Sequence, residues 1–320
     1  MSAEALDFLV VGDVNIDLVL GGLPRLPEPG SEELADTLDF RLGGSSANCA
    51  CALARLGASV AFQGRVGVDR FGDFIADELA RAGVRERHLA RAQGQATGIT
   101  VSLSLPSDRA FATYSGTVAT MGIEDLDLAV LARVRHLHVG GFFLLTALRP
   151  GLPDLFARAR DHGVTISLDP GWDPSQRWNG LFAQVVPLVD VLLPNAEEVV
   201  HLTGVSEVEP AARALAQGGH IVVVKQGAAG ALAASSQGIT RGPAFPTAVR
   251  DTTALGDSFN AGFLLAWTRG GPLADCLRWG NAAAAICASR LGPNRYPTAA
   301  EVRELLWLGR EATAITARRA

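Results

Sequence analysis

Along the chain, short runs that are apolar on both faces alternate with stretches whose apolar positions recur at helical spacing. Leu6 to Gly12 (LDFLVVG) reads as a buried strand, and Ser45 to Leu56 as an alanine-rich helix ended by Gly57. Val60 to Arg65 predicts a second strand, followed by a helix from about Phe71 to Arg81 that stops at Gly83. Further on, HLHVGG, VTISLD, VDVLLP and IVVVKQG have strand character, while LPDLFARARDHG and the segment from Asn195 are helical. Helices over Gly256 to Thr268, Pro272 to Arg290 and about Ala299 to Leu308 complete the pattern. Strands apolar on both faces, alternating with helices, predict an α/β fold: a parallel sheet covered by helices on each side, three layers in all.

Two segments break the rhythm. Asp17 to Arg41 carries strand-like pieces around a Pro/Gly-rich turn (LPRLPEPG). Thr97 to Tyr114 reads as a hairpin, TGITVSLSL and AFATY about a turn at PSDR. Neither has much core of its own, so segments of about 17–41 and 97–115 are expected to form a small β-lid against the α/β body. No repeat or low-complexity linker divides the chain, which is expected to be a single domain over 1–320. Binding sites in such sheets lie beyond the carboxyl ends of the strands, where a lid could exclude water.

Composition narrows the function classes. The 320 residues are 48% hydrophobic and 19% charged, enough for a substantial core. A formal net charge of -5 argues against broad electrostatic binding to nucleic acid or to an anionic membrane. No apolar run is long enough to span a bilayer, and no basic stretch leads an apolar one, so a cytoplasmic protein is expected. Cys49, Cys51, Cys276 and Cys287 form no CxxC pair, and histidines are scattered, so reduced buried thiols are expected rather than zinc. Lys225 is the only lysine.

Two segments carry chemistry. In DTTALGDSFNAGFLLAW (251–267), an Asp-Thr-Thr turn runs through small residues into Gly256-Asp257 and a helix. The unpartnered N–H groups and positive dipole of a helix start can hold an anion such as a transferring phosphoryl group. Asp257 could accept a proton from an attacking hydroxyl there, or merely cap the helix. The dipole is expected to keep it ionised at neutral pH. In RLGGSSANCACALARLG (41–57), Gly43-Gly44 permits close backbone approach before a helix bearing Asn48. Neither GxGxxG nor GxxxxGK[ST] occurs, so the usual dinucleotide and P-loop fingerprints do not apply and a nicotinamide enzyme is disfavoured.

These two segments, in this order, resemble the two signature regions of the ribokinase-like (PfkB) carbohydrate kinase family. The resemblance extends through GDVNID, PNAEEVVHLTG, KQGAAG and the helix containing Asn281, and so covers nearly the whole chain. It implies an ATP- and Mg2+-dependent kinase of a sugar hydroxyl, with a nucleoside kinase or a non-catalytic binding protein on the same fold as alternatives. Asp257 matches the family's catalytic base, and the backbone of Ala254, Leu255 and Gly256 its anion hole. Asn15, Asp17, Gly43, Gly44 and Asn48 match positions that hold sugar hydroxyls. Asn195 and Glu198 match a motif that holds magnesium through waters, although the pair also reads as a capping box. Lys225, Gly227 and Gly230 fall where the nucleotide phosphates are contacted, and Asn281 where the adenine is flanked. The resemblance also implies a homodimer through the lid.

The departures are informative. The second signature usually reads Gly-Ala-Gly-Asp, and here it is Ala254-Leu255-Gly256-Asp257, where Leu255 could crowd the site. Some members bind a monovalent cation near the positions of Asp251, Thr253 and Gly292, but the neighbouring GPNRYP lacks the usual serine. Members taking acidic keto-deoxy sugars carry Asp-Pro-Asn-x-Arg; here Asp169-Pro170-Gly171-Trp172-Asp173 places an acid at the arginine's position. A neutral sugar is therefore expected, with Arg41, Arg109 and Arg177 the other residues that could meet a carboxylate. Trp172 or Tyr114 could stack on a base or serve as packing.

Overall fold

The computed structural model describes residues 5–105, 109–178, 180–292 and 295–317. Its strands are β1 (Leu6–Gly12), β2 (Asn15–Gly21), β3 (Thr37–Gly43), β4 (Val60–Gly67), β5 (Glu86–Ala92), β6 (Ile99–Ser104) and β7 (Arg109–Tyr114). They continue with β8 (Val134–Gly140), β9 (Thr165–Leu168), β10 (Val191–Leu192), β11 (Ile221–Lys225), β12 (Ala231–Ser235) and β13 (Gly238–Gly242). The helices are α1 (Ser45–Arg55), α2 (Arg70–Arg81), α3 (Thr117–Thr120), α4 (Leu152–Asp161) and α5 (Leu181–Val185). After them come α6 (Ala196–Thr203), α7 (Val208–Ala216), α8 (Leu255–Thr268), α9 (Leu273–Ala288) and α10 (Ala299–Ala317).

Nine strands form the main sheet in the order β13-β12-β11-β10-β9-β8-β1-β4-β5. The pairs from β5 to β11 are parallel, while β12 is antiparallel to both its neighbours. Alternation along β1 sends Phe8 and Val10 to one face, where α1, α2, α8 and α9 cover them. Leu9 and Val11 go to the other, under α4, α5 and α7. This is the three-layer α/β/α arrangement expected of doubly apolar strands. VDVLLP contributes only two residues of regular strand, and past them pairing continues only as an isolated bridge from Asn195 to Lys225 as the chain turns toward α6. The last helix runs beyond Leu308, to Ala317.

A polar seam crosses the first of these faces. His136 and His138 on β8, with Ser167 on β9, are buried where neighbouring strands place Phe and Val. Ser167 Oγ lies 2.7 Å from His136 Nε2 and 2.8 Å from His138 Nδ1. Burial pushes both imidazoles below their ordinary pKa, leaving them neutral partners in this network. The seam ends at Asp169, just beyond β9.

A second sheet, β3-β2-β6-β7, rises from the carboxyl end of β1, which leads through Asp13-Val14 directly into β2. β2 pairs antiparallel with β3 and parallel with β6, and β6–β7 is the hairpin read from the sequence. Residues 106–108 of its turn lie outside the described residues, as do Pro293 and Asn294 of GPNRYP. Leu38 and Phe111 on this small sheet are 67% and 57% exposed.

Candidate active site

The site is built where strand ends deliver side chains that the α/β core does not need. Gly44 precedes α1 with φ 94, and a Cβ there would stand 2.6 Å from the Asp13 carbonyl oxygen, so the turn requires glycine. Asp13 then anchors the start of α1, accepting from the Ser45 and Ser46 N–H groups at 2.8 and 2.9 Å and from Ser46 Oγ at 2.8 Å. That leaves Ser45 Oγ free to donate to Asp257 Oδ1 at 2.9 Å. The two signature segments thus meet directly at Asp257.

Asp257 does not cap its helix. Ala254 occupies the N-cap in the left-handed region (φ 59), with Leu255 and Gly256 opening α8 and Asp257 in the third position. The N–H groups of this first turn have no acceptor within the helix. Leu255 packs against the core instead of lining the cavity, so it does not crowd the space before Asp257. The expectation of an ionised Asp257 at neutral pH is overturned. Burial, with the Asp169 charge next, pushes its carboxyl up to about 8, against the pull of Lys225 and Ser45. A helix dipole is worth roughly 0.3–1 kcal/mol near a surface; desolvation of a fully buried carboxylate outweighs it.

A cavity of about 300 Å³ opens in front of Asp257. Asp13, Asn15, Asp17, Gly44, Ser45 and Asn48 line one side, Thr100 and Thr113 of the small sheet another, and Thr252, Thr253 and Ala254 the third. Asn15 Nδ2 donates to Asp17 Oδ1 at 3.2 Å and to Thr100 Oγ1 at 2.9 Å. Asn48 Oδ1 accepts from Tyr296 Oη at 2.5 Å. Burial raises the Asp17 carboxyl to about 6, although Arg41 pulls it down. Gly43 does not line the cavity. Its bare Cα faces Asp17, whose Oδ1 would sit 2.3 Å from any Cβ there. Tyr114 lines the rim and is 58% exposed. Trp172 packs against Trp178 and His201 at ring distances of 5.0 and 5.6 Å, which is the packing alternative. Arg177 does not line the cavity either, and the side chain of Arg109 lies outside the described residues.

Behind Asp257 sits a second polar cluster. Lys225 Nζ donates to Asp169 Oδ2 at 2.7 Å and approaches Asn260 Oδ1 at 3.3 Å, while Asn260 Nδ2 donates to the same Asp169 oxygen at 2.5 Å. Burial alone would lower the lysine's pKa; the Asp169 and Glu198 carboxylates reverse this and raise it. A Cβ built on Gly256 would lie 3.8 Å from Lys225 Nζ, so the ammonium stands beside the first turn of α8. Asp169, Asn260, Asp13 and Ser45 were not singled out from the sequence. Asp13 stands in the quoted GDVNID and Asp169 in the quoted Asp-Pro segment, but nothing local ties either to Asp257.

Asn195 and Glu198 form the capping box of α6: Asn195 Oδ1 accepts from the Glu198 N–H, and Glu198 Oε2 from the Asn195 N–H, both at 2.8 Å. Asn195 also bridges to Lys225. Burial and then Asp169 raise the Glu198 carboxyl to about 7. Asp169, Glu198 and Asp257 therefore make a buried set of mutually repelling acids relieved by one lysine. Such oxygen donors fit a magnesium ion. Among the described residues no group of three or more His, Cys, Asp or Glu could hold a metal ion by itself. Gly227 and Gly230 follow β11 with φ 57 and 87. Gly230 is packed so closely on the Gly242 carbonyl that a Cβ would stand 2.2 Å from it. Asn281 Nδ2 donates to the carbonyls of Gly242 and Pro243 at 2.9 and 3.1 Å, bracing the same wall.

A doubly covered α/β sheet with a small second sheet over its strand ends, and a carboxylate beside an open helix start, defines a ribokinase-like phosphotransferase. The profile of the pfkB family carbohydrate kinases matches residues 5–299. The chain is 32% identical over 301 residues to an ATP-dependent ribose-1-phosphate kinase of Halopiger xanaduensis, spanning 93% of this chain and 97% of that protein. It is 29% identical over 309 residues to a ribokinase of Haemophilus influenzae, spanning 93% and 97%. The Arabidopsis thaliana ribokinase complexed with ribose and ATP superposes with a TM-score of 0.81 at 26% identity, over 94% of this chain and 99% of that one. The chain belongs to the pfkB family of carbohydrate kinases, and it is an ATP-dependent sugar kinase.

Proposed function

We propose that the acceptor is a neutral sugar, seated against Asn15, Asp17 and Asn48, and that Asp257 takes the proton of its attacking hydroxyl. The observation that carries this reading is the cavity itself. It joins Asp257, the start of α8 and a set of carboxylates, amides and hydroxyls suited to vicinal hydroxyls, with no Lys or Arg among the described residues that line it. An anionic acceptor would need a cation there. The N–H groups of Leu255, Gly256 and Asp257 face charge developing on the transferred group, with Ala254 setting their direction. Lys225 steadies the phosphates beside Gly256, and Gly227, Gly230 and Asn281 shape the nucleotide wall through backbone. Magnesium, when bound, would neutralise phosphate charge; Asn195 and Glu198 would hold it through waters.

A nucleoside acceptor is the second reading, favoured by Tyr114 at the cavity rim, where an aromatic ring could stack on a base. Arg41 is committed to Asp251 and Thr253, the positions of the family's monovalent-cation site. We therefore propose turnover that does not depend on potassium. The exposed apolar residues of the small sheet support a homodimer through it, and the four free buried thiols suit the cytoplasm.

The test is magnesium-dependent ADP release from ATP over a panel of neutral sugars, sugar phosphates, sugar acids and nucleosides, with Asp257→Asn as control. A response to neutral sugars that the variant loses supports the reading. A preference for phosphorylated or carboxylated acceptors overturns it, and a preference for nucleosides moves it to the second reading.

A further inference from the structure

We propose that Arg41 is a positioning residue for phosphoryl transfer, a latch through which the small sheet sets the loop that forms the anion hole. This rests on the reading of Ala254 to Asp257 given above.

Arg41 lies on β3, directly opposite Asp17 of β2 in the antiparallel register. Facing residues of such a pair share one side of the sheet. Its guanidinium crosses to the other body of the molecule: Nη1 pairs with Asp251, and Nη2 donates to Thr253 Oγ1 at 3.0 Å. Asp251 Oδ1 in turn accepts from the Thr253 N–H at 2.8 Å. One buried cation therefore grips two alternate residues of the turn immediately before Ala254. Arg41 is only 7% exposed, and 210 residues separate it from Asp251.

The turn needs an outside grip. Ala254 is held in the left-handed region, which is strained for an L-residue and persists only where surroundings enforce it. On one side the enforcement comes from α9: the Ala288 carbonyl accepts from the Arg250 and Asp251 N–H groups at 2.8 and 3.3 Å. On the other it comes from Arg41. A buried ion pair is poor evidence of stability, since desolvation offsets most of the attraction. Its forked geometry instead fixes where Asp251 and Thr253 stand. Because Arg41 shares a strand pair with Asp17 and Asn15, whatever seats the acceptor against β2 also sets the turn that aims the amides of α8.

The prediction separates from ordinary binding. In Arg41→Ala, kcat should fall roughly 10- to 100-fold, the scale of misplacing a catalytic group or losing an anion-hole donor. The KM for ATP should stay within about threefold, because the nucleotide wall does not touch Arg41. Arg41→Lys should fall between Ala and wild type, and added guanidinium ion should restore part of kcat in Arg41→Ala alone. If Arg41→Ala does not fold, Arg41→Lys and Thr253→Val are combined. A double variant no worse than the worse single one supports the latch, and additive losses overturn it. Arg41 variants with wild-type kcat, or with a loss confined to KM, beside an inactive Asp257→Asn, overturn the latch alone. An active Asp257→Asn overturns the site reading beneath it.

Discussion

The pH dependence of turnover tests the site most directly, because it asks whether the buried acids perturb one another as their placement requires. Asp257 carries its proton up to about 8, with burial the largest cause and the Asp169 charge the next. A base must be unprotonated, so activity should rise with pH through that value. Simple titration gives about 1% carboxylate at pH 6, about 9% at pH 7 and about 91% at pH 9. The kcat/KM for the acceptor, which reports the free enzyme, should therefore rise about tenfold from pH 7 to pH 9. Asp169→Asn supplies the sign. It removes the charge that raises Asp257 and releases Lys225, whose attraction lowers it, so the limb should move to lower pH by about one unit or more. Initial rates of ADP formation across pH 5.5 to 9.5 measure both, and the position of the limb is the readout, whatever the height. A wild-type profile flat from pH 6 to 9 would refute the perturbed carboxyl. A limb that stays put or moves upward in Asp169→Asn would refute Asp169 as its cause.

Three other outcomes follow from the same geometry. Asp257→Asn should lose at least about 100-fold in kcat. It should also melt higher at pH 8: a folded-state pKa raised above 3.8 means stability is lost as pH rises toward 8, and the amide removes that penalty. A lower melting temperature there would contradict the sign. Glu198→Gln keeps an acceptor for the Asn195 N–H but loses the charge, so half-maximal activity should need about tenfold more magnesium, read by titration at fixed ATP. An unchanged requirement removes Glu198 from the metal site. Asp17→Asn removes a charged hydrogen-bond acceptor worth about 1.5–3 kcal/mol, so acceptor kcat/KM should fall roughly 10- to 100-fold with the KM for ATP unaffected. Equal changes in both constants would place Asp17 elsewhere.

Local pattern was enough for much of this molecule. The two-sided apolar strands around Val10, Ile166 and Val223 have one stable solution, a sheet covered on both faces, and the helices stop where Gly57 and Gly83 can take up positive φ. Asn195 with Glu198 declares a capping box within four residues, and Gly256-Asp257 is legible as a helix start. These signals are short-range, set by spacing along a single element.

What only the tertiary structure decided involves partners far apart in the chain and the loss of water around them. The dipole argument made Asp257 an ordinary ionised acid. Its burial beside Asp169, with Ser45 Oγ 2.9 Å away from another segment, instead pushes its carboxyl up to about 8. Nothing in KQGAAG shows that Lys225 is paired with Asp169, 56 residues earlier, nor in RLGG that Arg41 reaches Asp251. Asn281, read beside a nucleotide, spends its amide on two carbonyls of the wall. A sequence reports which groups exist and how each element is spaced. Desolvation and charge pairing depend on which groups share a buried space, and that is settled only when the elements pack.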